Sequence, residues 1–206
     1  MMPWSACSPP CSNPSWRFTD MTPRFTQALV LAAQAHEGQC RKGTSIPYIV
    51  HPVGVAGLVA RYAGDEDLQI AALLHDVLED GGPHFEDRIA HFGDRVLRVV
   101  HGCTDGVPDA TGQKAGWKER KTTYLEHLRD ADEDTLLVSG CDKLYNALSI
   151  EEDLLELGAS VFTRFKAGRD GTLWYYGELA EIFRERACPM APALSAAVEG
   201  IRQLAF

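Results

Sequence analysis

Four groups able to bind a cation or move a proton, His75, Asp76, Glu79 and Asp80, stand together in the stretch AALLHDVLED, residues 71–80. At about 100° per residue on a helix they occupy an arc of roughly 140°, with Ile70, Leu74, Val77 and Leu78 opposite. One face packs and the other reacts. Adjacent His and Asp can both reach one divalent cation; imidazole suits Mn, Fe or Zn and carboxylate suits harder ions, so a mixed site follows. Glu79 and Asp80 lie where a helix would end. The helix dipole disfavours acids there, which argues against their being mere surface decoration.

Two further candidates lie far away in the chain. His51 follows YIV directly, and Asp142 sits in CDKLYN with Val138, Leu144 and Leu148 as its expected core companions. Asn146 is four residues beyond Asp142 and shares its helix face, so one can hold a metal while the other hydrogen-bonds a substrate. Taken singly, a His before a helix is more often a cap or packing group, and a lone helical Asp is usually solvated.

The elements that must position these groups are helical. Thr22 can cap a helix beginning at Pro23 and running to Glu37, with Phe25, Ala28, Leu29, Ala32 and Ala35 on one face. GQCRKGTSIPYIV then makes a loop, and Pro52 starts a helix over 52–62. Asp65 to Asp67 can cap the next helix, which should run unbroken to about Asp80, where Gly81, Gly82 and Pro83 stop it. Further helices are expected over 84–91, 93–104, 117–130, 133–149, 171–187 and 191–204, with a mobile polar loop at 105–116. No run alternates apolar and polar residues over strand length. The fold class is therefore all-α, a compact single helical bundle over 21–206.

Composition narrows the function. A net charge of −9 excludes broad nucleic-acid binding, which needs clustered Lys and Arg; an anionic substrate would need a local basic pocket. No apolar stretch is long enough to span a bilayer, so no membrane partner is expected. The six cysteines, Cys7, Cys11, Cys40, Cys103, Cys141 and Cys188, form no CxxC pair and fit reduced thiols in a cytoplasmic protein. Residues 1–20 are rich in Pro, Ser and Cys, carry no periodicity, and are expected to be a disordered extension; Met21 could be an alternative start. Nothing in the spacing sets an oligomeric state.

The order H…HD…D, with ED closing the second motif, resembles the HD superfamily of metal-dependent phosphohydrolases. RKGTSIPYIVHP, AALLHDVLED and DKLYN together resemble the hydrolase domain of RelA/SpoT-type enzymes and the small alarmone hydrolases, over about residues 24–150. The resemblance implies His51, His75, Asp76 and Asp142 as ligands of one divalent metal, Mn²⁺ in this family, with Glu79 and Asp80 as the acid–base pair beside the attacking water. It implies Arg41, Lys42, Tyr48 and Asn146 as substrate contacts, and Lys118, with Arg120 and Lys121, at the pocket rim. Tyr175 is an added candidate platform for a purine. His36, His84, His91, His101 and His127 fall outside the motifs and are expected to be surface or packing residues.

The expected reaction is removal of the 3′-pyrophosphate from guanosine tetra- or pentaphosphate, ppGpp giving GDP and pyrophosphate, as in the stringent response. With no room for a synthetase after residue 206, the chain should only degrade. Two alternatives stay open: the same chemistry on ppApp or the 2′-phosphate of NADPH, or a non-catalytic nucleotide-sensing or antitoxin-like module. The loop TSIPYIVHP and the segment CDKLYNAL depart from the commoner GTPYINHP and ADKLYNLR, which bears on base preference more than on the metal.

Overall fold

A computed structural model of the chain describes residues 22–62, 65–105 and 115–206. The expected extension at 1–20 and most of the expected 105–116 loop lie outside these residues. The described residues form helices and turns, with one isolated antiparallel bridge between Cys40 and Pro47, as the all-α reading requires.

Side chains at the helix starts explain several boundaries. Thr22 Oγ1 accepts from the Arg24 amide at 3.2 Å and opens α1 (Pro23–Ala35). The loop after α1 leads into α2 (Val50–Tyr62), which starts two residues before Pro52, so His51 lies inside its first turn rather than ahead of it. Asp65 accepts from the amides of Asp67 and Leu68 to open α3 (Glu66–Leu74). Then come the short α4 (Glu86–Ala90), α5 (Asp94–Cys103) and α6 (Trp117–Asp130). Asp132 accepts from the Thr135 amide at 2.8 Å and opens α7 (Glu133–Leu157), which ends at Gly158 with φ +62°. A 3₁₀ segment (Gly158–Arg164), α8 (Gly168–Glu185) and α9 (Ala191–Leu204) complete the chain.

The long helix α7 is the spine. It packs against α2, α3, α5, α8 and α9, and Val138, Cys141, Leu144 and Ala147 on it are almost wholly inaccessible. Leu148, expected in the core, is 40% exposed, because it lies one step past the buried stripe. Buried apolar residues from each of the nine described helices join one core cluster running from Ala28 to Ala205. Where α2 crosses α7, Gly54 meets the Tyr145 ring so closely that any Cβ would overlap it. That approach brings the motif residues of the two helices together.

The unbroken helix expected through Asp80 is not what forms. The α-helical run ends at Leu74, and Val77–Gly81 make a single π-helical turn. His75 supplies a physical reason: its Nδ1 bonds the Ala72 carbonyl at 2.7 Å, the oxygen that the Asp76 amide would use in a continuing α-helix. Turns of this kind recur where side chains must be re-aimed.

Candidate metal centre and active site

His51 from α2, His75 and Asp76 after α3, and Asp142 from α7 converge at one buried point. His51 Nε2 is 3.1 Å from Asp142 Oδ1 and 3.4 Å from Asp76 Oδ2. His75 Nε2 is 3.1 Å from Asp76 Oδ2 and 3.7 Å from Asp142 Oδ1. His51 and His75 are both 1% exposed. Ligand atoms of His51, His75 and Asp142 lie within 4.8 Å of one another, and Asp76 adjoins both imidazoles.

These residues fit a divalent cation. The Nε2 atoms of both histidines are buried with no hydrogen-bond partner, a cost that a lone pair directed at a metal removes. Bonding of His75 Nδ1 to the Ala72 carbonyl fixes the proton on Nδ1 and leaves Nε2 free to ligate. The two carboxylates supply the hard donors.

Burial opposes charge on His75, Asp76 and Asp142, and the partners outweigh it. Asp76 and Asp142 hold the His75 imidazole well above its ordinary pKa. His75 and His51 hold Asp76 well below the usual carboxylate range, and Lys143, with both histidines, does the same for Asp142. Tyr48 donates its hydroxyl to Asp76 Oδ2 at 2.7 Å; its own pKa is raised by burial and by that carboxylate. Lys143 meets Asp142 Oδ2 at 2.5 Å, and Asn146 donates to Asp142 Oδ1 at 2.6 Å. Asp142 is thus held on both oxygens.

Beside this cluster lies a cavity of about 580 Å³, room for a nucleotide. Arg41, Lys42, Arg120, Lys121, Lys143 and Arg164 line it, a basic pocket in an acidic protein. Glu79, Tyr48, Asn146 and Tyr175 line it too. Arg41 reaches Asn146 Oδ1 at 2.7 Å, so the RK loop and α7 are joined across the wall. Lys121 is paired with the buried Asp105; burial and the nearby Lys143 ammonium lower its pKa. The Tyr175 hydroxyl is buried without a partner.

Besides the four residues of the adjoining cluster, Lys118 and Asp80 are the candidates that do not line the cavity. Lys118 places its ammonium over the Trp174 ring, while its neighbours Arg120 and Lys121 line the cavity. Asp80 faces Gln39, whose Nε2 donates to Asp80 Oδ2 at 2.8 Å. Of the histidines outside the motifs, His84, His91, His101 and His127 are exposed, whereas His36 is buried and bonds Gln39. The sequence reading missed Lys143, Tyr145, Arg164 and Gln39. Lys143 and Tyr145 stand inside the DKLYN motif, and Gln39 stands two residues before Arg41. Arg164 carried no motif signal.

The model of the HD domain matches residues 28–173. This chain belongs to the HD domain family. It is similar to the guanosine-3′,5′-bis(diphosphate) 3′-pyrophosphohydrolase MESH1 of Xenopus tropicalis, 40% identical over 123 residues, which is 58% of this chain and 65% of that protein. The human MESH1 is 39% identical over 126 residues, covering 60% of this chain and 67% of its own length. A Vibrio cholerae guanosine-3′,5′-bis(diphosphate) 3′-pyrophosphohydrolase is 43% identical over 103 residues, half of this chain but 14% of that longer protein. The chain therefore spans just under two thirds of the Xenopus protein and a small part of the bacterial one. Among solved structures, that of a metazoan ortholog of SpoT that hydrolyzes ppGpp and plays a role in starvation responses aligns with TM-score 0.68 at 27% identity, covering 90% of this chain and 97% of its own. A Listeria monocytogenes structure aligns with TM-score 0.64 at 28% identity, covering 74% and 99%.

Proposed function

We propose that this HD protein is a metal-dependent phosphohydrolase that removes the 3′-pyrophosphate of ppGpp, giving GDP and pyrophosphate. One observation carries the reading: two buried imidazoles with unpartnered Nε2 atoms and two carboxylates meet at the edge of a nucleotide-sized basic cavity. The 3′-pyrophosphohydrolase names of its relatives fit the same chemistry.

His51, His75, Asp76 and Asp142 would hold one divalent cation, which we take to be Mn²⁺. Bound there, such a cation acidifies water and draws charge from a phosphoryl oxygen. Tyr48 orients Asp76 from behind, and Lys143 with Asn146 orients Asp142. Glu79 takes the proton of the attacking water, and Asp80 completes the acid–base pair. The bond that breaks joins phosphorus to the ribose 3′ oxygen, which leaves as a hydroxyl.

The remaining cavity residues bind. Arg41 and Lys42 hold the nucleotide phosphates, Arg with paired donors, and Asn146 lies beside the ribose. Arg120, Lys121 and Lys143 add the positive charge a tetraphosphorylated ligand demands. Tyr175 offers a ring edge to the purine, and Lys118 acts from the rim by holding Trp174. All four ligands and the Glu-Asp pair are intact, which favours turnover over a sensing role. The four described cysteines are free, three of them buried, in keeping with a cytoplasmic protein; no described helix is long and apolar enough to cross a membrane.

The test is product identification with the Mn²⁺-loaded protein on ppGpp, ppApp and NADPH side by side. GDP and pyrophosphate from ppGpp are expected. Release of the 2′-phosphate of NADPH with ppGpp left intact would overturn the choice of substrate. Asp76→Ala should lose both metal and turnover, and Glu79→Ala only turnover.

A further inference from the structure

Behind the Glu-Asp pair lies a hydrogen-bonded chain that the reaction scheme leaves unused. Gln39 is fixed by its own backbone: its amide bonds the His36 carbonyl at 3.1 Å and its carbonyl receives the Tyr48 amide at 2.9 Å. Its side chain lies between two groups, with Nε2 2.8 Å from Asp80 Oδ2 and Oε1 2.7 Å from His36 Nδ1. An ionised carboxylate only accepts, so the amide nitrogen must face Asp80. The amide oxygen therefore faces His36, and Nδ1 must be the donor. His36 is 4% exposed and its Nε2 has no partner, so a proton on Nε2 would be a buried donor left unsatisfied. One arrangement of protons makes both hydrogen bonds of this chain and leaves only the His36 Nε2 lone pair unpaired.

We propose that Gln39 and His36 are positioning residues that fix the Asp80 carboxylate, His36 by dictating which end of the Gln39 amide faces it. If the amide turned over, its oxygen would meet the carboxylate and push it aside. The His36 ring also packs 4.8 Å from that of Tyr48, whose hydroxyl holds Asp76. One buried imidazole thus backs both the acid–base pair and the ligand set. The inference rests on the acid–base role proposed for Asp80.

The rival account is that His36 and Gln39 only pack the loop. Substitutions that separate packing from proton placement decide between them. In steady-state hydrolysis of ppGpp, Gln39→Leu and His36→Phe should each lower kcat by about ten- to a hundredfold with little change in KM and unchanged metal content. The double variant should be no worse than either single one, because both act through the same carboxylate. His36→Asn carries an N–H near the position of Nδ1. It should therefore outperform His36→Phe, although Phe preserves the ring packing better. Full kcat in Gln39→Leu, losses that multiply in the double variant, or His36→Phe outperforming His36→Asn would overturn the proposal.

Asp80→Asn is measured alongside. Loss of turnover there with none in Gln39→Leu rejects the positioning role alone; full turnover in Asp80→Asn rejects the acid–base role itself. Nitrogen-15 NMR of the His36 ring reads the arrangement without any substrate. A proton on Nδ1 in the wild type is expected, and the proton on Nε2 would overturn the proposal whatever the kinetics.

Discussion

Replacing Asp142 by Asn separates two roles of one carboxylate, its contact with Lys143 and the metal ligation proposed for it. Asp142 is 4% exposed and in contact with Lys143, whose side chain is 12% accessible. Removing the negative charge leaves that ammonium without its counter-charge in a largely buried site, a loss of about 3–5 kcal/mol when such pairs are broken. Two features hold the cost near the lower figure: Lys143 opens onto the cavity, and repulsion between Asp142 and Asp76 is relieved. At roughly 2–4 °C per kcal/mol for a chain of this size, about 3 kcal/mol lowers Tm by about 6–12 °C. This is measured by thermal denaturation in EDTA, where no metal contributes. Adding Lys143→Met to Asp142→Asn should return most of the loss, because the stranded charge goes with the side chain. Mn²⁺ reports the second role. At a hundred times its Kd, a cation that binds only the folded state adds about 2.7 kcal/mol, or about 5–11 °C. The wild type should show this rise, and both Asp142 variants should lack it. A Tm in EDTA within about 2 °C of wild type would refute the buried-pair argument, and a full Mn²⁺ response in Asp142→Asn would refute the ligand assignment.

Gly54→Ala should force the Tyr145 ring off α2, because the new Cβ overlaps it; overpacking of this kind costs about 1–3 kcal/mol. Since Tyr145 also packs against His51 at 5.2 Å, Mn²⁺ affinity measured by titration calorimetry should fall with it, and an unchanged Tm and affinity would show that the helix crossing is not tight. Leu74→Ala empties a fully buried site at the end of α3 and should lower stability by about 2–5 kcal/mol in urea titration. Arg95 holds Asp65 and, with Arg98, Asp134, while the Thr135 amide and then Arg98 hold Asp132, so all three carboxyls titrate below their ordinary 3.8. Depressed folded-state pKa values give stability that is present above the unfolded value and lost as pH falls through the folded one. The Tm difference between wild type and Arg95→Met should therefore be full at neutral pH, shrink as pH falls below about 4, and vanish at lower pH; a difference that grows on acidification would contradict the assignment.

What was legible in the sequence, and what was not, follows from the range of the forces involved. Helix starts at Thr22, Asp65 and Asp132 could be anticipated or are of a kind that can be, because a cap is a contact between residues two or three apart. His51, His75, Asp76 and Asp142 could be singled out as a set only through their order along the chain and its family likeness; spacing alone says nothing about α2 meeting α7. That meeting depends on Gly54 lying against Tyr145, a contact between residues 91 apart that no local pattern encodes. The break after Leu74 was illegible for a different reason. AALLHDVLED has the periodicity of a continuous helix, and the arc drawn on it put all four polar groups on one face. The His75 ring instead takes the Ala72 carbonyl, and the chain widens into a π-helical turn. That turn parts the two acids, Glu79 into the cavity wall and Asp80 toward Gln39. A regular helix would have kept them in step with His75 and Asp76. The departure from the regular pattern lies where the proposed chemistry has two neighbouring carboxyls facing different partners, and Gln39 as such a partner becomes visible only after the turn is known.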